Sequence, residues 1–319
     1  MADELKAQLL QRAEQRIREK GRRGLSRKAG RPQQPGRIMA QYRARLREIS
    51  EATNKAIRES IIENLPRLIE LAGTRDDAMR ADDWSEELAR LIRATRVTLE
   101  RETDAEAERL ADEFAKAVAA QNRQQMNRIM RRVMGVDIFA DDERLSGLMS
   151  SWVRENAQLI RSIPEQALDR VEGLTNRAVR SGRSVTDVAK DIRKEFGVTR
   201  RRARVIARDQ IASLNANITR ERQREVGIEE YEWATADDER VRGDPSGRYP
   251  DAMPRHDVMN GKICRWDDPT VYREQGNDKW LKRSSIGGPE AHPSEPILCR
   301  CTALPQVEHL LQEIERGQT

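Results

Sequence analysis

The chain has 319 residues, enough for two or three folded units, but 37% hydrophobic residues against 35% charged and 4% aromatic exclude one large core and favour long solvent-washed helices. No apolar run approaches 18 residues, which excludes a helical membrane span, and Met1-Ala-Asp-Glu-Leu5 carries no apolar signal core. The three cysteines all fall late in the chain, which opposes a disulfide framework and points to a reducing cytoplasm, and the net charge of +5 is unevenly spread.

Residues 1–20 read as a helix, with Leu5, Leu9, Ala13 and Ile17 at four-residue spacing. Glycines and prolines from Gly21 to Gly36 then make a basic, flexible connector. Between Arg12 and Arg47 thirteen Lys or Arg face only two acids, Glu14 and Glu19. Such an excess is a polyanion-binding signature, acting through phosphate contacts and counterion release. The candidate contacts are Arg16, Arg18, Lys20, Arg22, Arg23, Arg27, Lys28 and Arg31; a solvated arm without a partner is the plain alternative.

A second helix is expected over 38–72, kinked or split at Pro66. Asp82 or Asp83 is read as the cap of a helix reaching about Arg96, with another continuing to Met134. Helices over 141–162 and 164–181 follow, the second opened by Pro164 at a first helical position. Ser184-Val-Thr-Asp187 reads as a capping box for a short helix ending at Gly197. Thr199 then caps a basic helix that Gly227 stops, and its Arg200, Arg201 and Arg202 are further candidate DNA contacts.

After Gly227 the texture changes. Residues 228–233 alternate in part as a half-buried strand does, and strand-like pieces recur at 262–266 and 297–303. The expected fold is therefore mainly α: long N-terminal helices followed by a small α+β C-terminal domain with long loops. The expected divisions are a basic arm (1–36), a helical region (37–163), a helical lead-in (164–226), the small domain (227–305) and a tail (306–319).

That small domain holds most of the chain's rarest residues. His256, His292, Cys299 and Cys301 form a His2Cys2 set able to bind one tetrahedral ion, with zinc as the expected cofactor. A bound ion is one way to hold together a domain with little core. Cys264 is a fifth candidate ligand. Imidazoles bonded to backbone carbonyls with thiols filling a small core is the bland alternative, and a catalytic Cys–His pair is a third. Asp238, Arg240 and Arg242 are placed to form an ion-pair network that pins the loop before His256, or to contact phosphate. His309, on a terminal helical stretch, reads as incidental.

Gly227-Ile-x-x-Tyr-x-Trp233-x-Thr235, Asp238-x-Arg240-Val241-Arg242, His256, Gly261, Trp266-Asp267-Asp268-Pro269, His292-Pro293 and Cys299-Arg300-Cys301 together resemble the C-terminal domain of phage Mu F-like head morphogenesis proteins. Ala203-Arg204, Ala207-Arg208-Asp209 and Asn215 resemble the helix that leads into it, so the resemblance spans about 165–305. It implies a minor capsid protein of a tailed bacteriophage, made in the host cytoplasm and carried in the virion inside the head near the portal. The implied partners are the portal protein, double-stranded DNA and other capsid components, and the implied role is head assembly with DNA retention or delivery. The loop between Arg242 and His256 is longer than the family's usual link, and Cys264 replaces another residue. A toxin-like or hydrolytic domain using the His/Cys/Arg/Asp cluster is the competing reading, against which the chain shows no phosphate-cradling glycine loop.

Overall fold

A computed structural model describes residues 2–68, 80–181 and 185–316. Six α-helices carry most of it: α1 (Ala2–Lys20), α2 (Gly36–Ile57), α3 (Arg80–Met134), α4 (Ser146–Ser181), α5 (Val185–Glu225) and α6 (Glu308–Arg316). Five short strands lie between α5 and α6. These are β1 (Glu230–Ala234), β2 (Ile263–Arg265), β3 (Val271–Tyr272), β4 (Leu281–Lys282) and β5 (Thr302–Pro305). The mainly α class with a small antiparallel C-terminal region is therefore as the sequence predicts.

Several expected helix breaks are absent. Pro164 lies inside α4, not at its start. The turn it interrupts buries Ile160, Ile163, Ala167 and Leu168 almost completely. At about 2 kcal/mol per buried aliphatic side chain, that packing exceeds the roughly 3 kcal/mol a helical proline costs. Likewise α5 runs through Gly197 and Thr199, whose hydroxyl donates to the Glu195 carbonyl one turn back rather than capping a new helix. Helix α3 is already under way at Arg80, so Asp82 and Asp83 lie within it, and it passes Arg96 unbroken. Ser184, of the expected capping box, and residues 69–72 lie outside the described residues. Pro66 does disturb its helix as predicted. Arg58–Ile62 widens into a π-turn, with Glu63 N–H reaching the Arg58 carbonyl (3.0 Å).

The chain forms two compact units, each built from separate segments: Met1–Gly36, Lys116–Met149 and Asp209–Thr319 in one, Arg37–Ala115 and Ser150–Arg208 in the other. The divisions expected at 36, 163, 226 and 305 run along the sequence, and only the first coincides with a unit boundary. In the second unit α2 packs Tyr42 on Phe114 (ring centroids 4.7 Å apart), and Tyr42 donates to Asn156 in the buried interior. A second cluster there joins Ile57, Ile61 and Leu65 to Leu88, Ile92, Val171, Ile192 and Phe196.

The first unit has two cores. Helix α1 buries the predicted stripe Leu5, Leu9, Ala13 and Ile17 against Met126, Met130 and Met134 of α3 and Leu310, Leu311 and Ile314 of α6. The three methionines are core residues, as their spacing suggests. The terminal stretch is thus a packed helix rather than a tail, and His309 Nε2 meets the Gly227 carbonyl at 2.8 Å. Gly227 ends α5 in the left-handed conformation (φ 78°). Ile228 N–H bonds the Gln223 carbonyl (2.8 Å) and Gly227 N–H the Arg224 carbonyl (3.0 Å), a Schellman stop.

The second core sits under the sheet β2-β1-β5, antiparallel throughout. Tyr231 pairs with Cys264 and Pro305, and Trp233 with Ala303. The alternation read in the sequence puts Tyr231 and Trp233 on the buried face, with Met259, Cys264, Trp266, Tyr272, Cys299 and Cys301. The piece expected over 297–303 is strand only from Thr302. The turn before it holds Leu298 at φ 60°, its N–H accepted by the Asp209 carboxylate (2.8 Å). The β3–β4 pair was not legible in the sequence.

Candidate functional site

The first unit's C-terminal core brings His256, Cys299 and Cys301 together. Their ligand atoms lie within 4.8 Å of one another, and all three residues are buried. His256 opens a short helical turn, Asp257–Met259. Its backbone N–H is anchored to the Arg242 carbonyl (2.8 Å), and its ring stands edge-on to Trp233 at 5.9 Å. Cys299 is set by its own N–H to Pro296 (2.9 Å), and its sulfur accepts from the Ser294 N–H (3.3 Å). Cys301 leads into β5, and Ser294 Oγ donates to its carbonyl (3.0 Å).

His256 Nδ1 is 3.5 Å from each sulfur. A zinc ion takes sulfur at about 2.3 Å and imidazole nitrogen at about 2.0–2.1 Å, so tetrahedral ligands stand roughly 3.5 Å apart. The residues present therefore fit a zinc ion. The two thiols differ in their hold on a proton. Cys299 is held well below the ordinary thiol range, first by its hydrogen bond with Cys301 and then by His256. Cys301 is pushed up by sharing that proton and by burial. Thiolate is the form that binds metal. Cys299 is only 5% exposed.

His292 does not join this group. Its Nδ1 accepts from the Tyr231 hydroxyl (2.9 Å), which itself accepts from Arg283 (3.1 Å). The predicted four-ligand set is thus reduced to three, because the strand face that buries Tyr231 claims His292. Cys264 is in the same core, its thiol pushed up to about 11 by burial.

Burial pushes His292 down to about 3 from its ordinary 6.5, and Arg220, Arg283 and Arg224 push the same way against Asp267. Between those two values the unfolded chain binds a proton that the folded protein refuses. Stability therefore falls as pH drops through that window and is untouched above it. We expect acidification from pH 7 to 5 to lower the thermal midpoint of the wild-type chain more steeply than that of His292→Gln. Parallel pH slopes would assign the acid sensitivity to another group.

The loop before His256 is pinned, but by other partners than predicted. Asp238 forms a bidentate pair with Arg300, which holds its carboxyl down to about 2. Arg240 donates its backbone N–H to Asp238 (3.0 Å) and its charge adds a smaller pull, while Arg242 donates to the Ile297 carbonyl. Arg300 was legible only as the residue between the two cysteines.

The predicted DNA contacts separate into two kinds. Arg16 donates to the Gly21 carbonyl, Arg22 pairs with Glu315 (3.1 Å) and Arg31 with Asp237 (2.7 Å). The connector is laid down, not free: Ser26 N–H bonds the Arg132 carbonyl (2.8 Å) and Gln34 bonds Ser294 (2.9 Å). Arg18, Lys20, Arg23, Arg27 and Lys28 face solvent. In the second unit Arg202 turns inward, donating to Ser162 Oγ (2.7 Å), which removes it as a surface contact. Arg200 and Arg201 instead line a groove of about 530 Å³ with Arg204 of α5 and Arg43 and Arg47 of α2. No acidic residue lines it, and Arg43, Arg200, Arg201 and Arg204 have no carboxylate partner among the described residues. Arg43, Arg47 and Arg204 fall within the basic stretches read from the sequence but were not singled out as contacts, although the spacings Arg43–Arg47 and Arg200–Arg204 place each pair on one helix face.

Residues 169–304 match the model of a family described as Phage Mu protein F like protein. An uncharacterized protein of Haemophilus influenzae is 28% identical over 215 residues, which is 66% of this chain and 42% of the relative. The chain thus spans about two-fifths of that relative's length. No solved structure matches.

Proposed function

From a segment, residues 169–304, that is phage Mu F-like, we propose that this chain is a head-morphogenesis protein of a tailed bacteriophage, a minor virion component that associates with the portal and with packaged DNA. The family match carries this reading. It coincides with the span over which the quoted motifs resemble the family, and it takes in the whole His256–Cys299–Cys301 cluster. The role is one of assembly and DNA retention or delivery rather than turnover. The Arg43–Arg204 groove supports DNA contact, because four of its five guanidiniums, all but the Glu51-paired Arg47, lack a carboxylate partner among the described residues and suit a phosphate backbone. Its partners are then the portal protein, other capsid components and double-stranded DNA, and its place is the head interior.

Quantitative mass spectrometry of purified particles tests the role. The chain should be present at a small fraction of the major capsid protein, and mild cross-linking of intact heads should join it to the portal. A chain abundant in lysates but missing from particles would sink the proposal.

A further inference from the structure

We infer that His256, Cys299 and Cys301 hold one zinc ion through three protein ligands, with the fourth coordination position open to water or a small anion beneath Arg240, Arg242 and Arg300. Geometry, charge balance and burial converge on it. Both nitrogen–sulfur separations, 3.5 Å, have the spacing of tetrahedral zinc ligands. Two thiolates and a divalent cation are neutral together, which is how a buried cluster of this kind avoids an uncompensated charge. His256 is 3% exposed, and it is Nδ1 that its ring turns to both sulfurs.

The open position follows from what surrounds the group. No fourth His, Cys or carboxylate joins it among the described residues. Asp257, next in sequence to His256, is taken by a bidentate pair with Arg255 (2.6 and 3.2 Å). A pocket of about 30 Å³ adjoins the cluster, bounded by His256, Cys299 and Cys301 and by Arg240, Arg242 and Arg300. That is enough for one water-sized ligand. On its wall Arg300 and Arg240 pair with Asp238 and Glu239, which leaves Arg242 as the guanidinium with no carboxylate partner among the described residues to favour an anionic occupant such as hydroxide or a small exogenous anion. The donor set itself selects zinc over harder ions, since thiolate and imidazole are poor ligands for magnesium or calcium.

The site is independent of any role in head assembly, and its test reads metal rather than assembly. The full chain, expressed with zinc and purified under reducing conditions, should contain one zinc per chain by inductively coupled plasma mass spectrometry. Cys299→Ser with Cys301→Ser, and His256→Ala, should lose it; His292→Gln and Cys264→Ala should keep it. Cobalt(II) in place of zinc in the wild-type chain should give an intense thiolate-to-metal charge-transfer band, which reads sulfur ligation without any variant. Cyanide should then shift the cobalt d–d bands. A wild-type chain that stays metal-free after anaerobic incubation with zinc overturns the site. Loss of zinc in His292→Gln with cobalt bands indifferent to cyanide overturns the open three-ligand form in favour of a closed four-ligand one.

Discussion

Replacing Arg43, Arg201 and Arg204 together by alanine should flatten the salt dependence of duplex DNA binding by about 3 units of log K against log salt, at roughly 0.9 for each phosphate no longer neutralised. Across a fourfold rise in salt, three such phosphates account for a roughly 40-fold change in affinity. The weakening should be the same for unrelated DNA sequences, because guanidiniums on phosphates position a protein without reading bases. Arg202→Ala is the internal control. Its side chain is committed to Ser162, so it should leave the slope unchanged even if it lowers stability. Fluorescence anisotropy on the full chain at several salt concentrations measures all of this. An unchanged slope in the triple variant would remove the groove from DNA binding while leaving the virion assignment to its own test.

Asp142→Ala should be the most damaging change away from the His256–Cys299–Cys301 cluster. Arg222 of α5 is 1% exposed and pairs with Asp142. It also donates to the Ala119 carbonyl (3.1 Å) and Asn122 Oδ1 (2.7 Å), and lies 5.6 Å from the Phe139 ring centre. Burial draws its guanidinium down to about 10, so it is still charged at neutral pH. Removing the carboxylate strands that charge in the interior, at a cost of about 3–5 kcal/mol for a fully buried pair. Asp142 is partly exposed, which lowers the expectation to about 3 kcal/mol, or roughly 8 °C in Tm for a unit of this size. Adding Arg222→Met to Asp142→Ala should restore most of the stability, since a neutral side chain of similar length no longer needs the partner. Scanning calorimetry on the single and double variants decides it. A double variant no more stable than Asp142→Ala would show that Arg222 acts through its carbonyl and Asn122 bonds instead.

What the sequence announced and what it hid divide along one physical line. Periodic burial was readable: Leu5, Leu9, Ala13 and Ile17 form α1's inner face, and Tyr231 and Trp233 alternate into the sheet core. Punctuation was not. Pro164, Gly197 and Thr199 carry local signals for a helix end, but each sits where the neighbouring turns are packed, and packing outweighs local propensity. The candidate ligand set was legible in part. His256, Cys299 and Cys301 meet as their chemistry suggests, whereas His292 is drawn to Tyr231 by a register that only the folded sheet defines. The ion-pair loop failed for a related reason. Asp238 sits beside Arg240 in sequence, but the approach to β5 delivers Arg300 to it from 62 residues away. The groove needed two distant helices to be read as one surface, so Arg43 and Arg47 counted toward a basic stretch without being placed.

The first unit cannot close until α6 has been made. Helix α1 leaves the ribosome long before α6, but its apolar face rests on Leu310, Leu311 and Ile314, and Lys6 pairs with Glu313 (2.9 Å). At about 5–20 residues per second, some 300 residues separate the two by roughly 15–60 seconds. The unit formed by 37–115 and 150–208 is complete in sequence well before that, and has no need to wait. Helix α1 can pack on the methionines of α3 once these are made, but the part of its face that Leu310, Leu311 and Ile314 cover stays open for the whole interval. A ribosome that stops short of α6 releases a chain with that surface still uncovered, a ready substrate for chaperones and proteases.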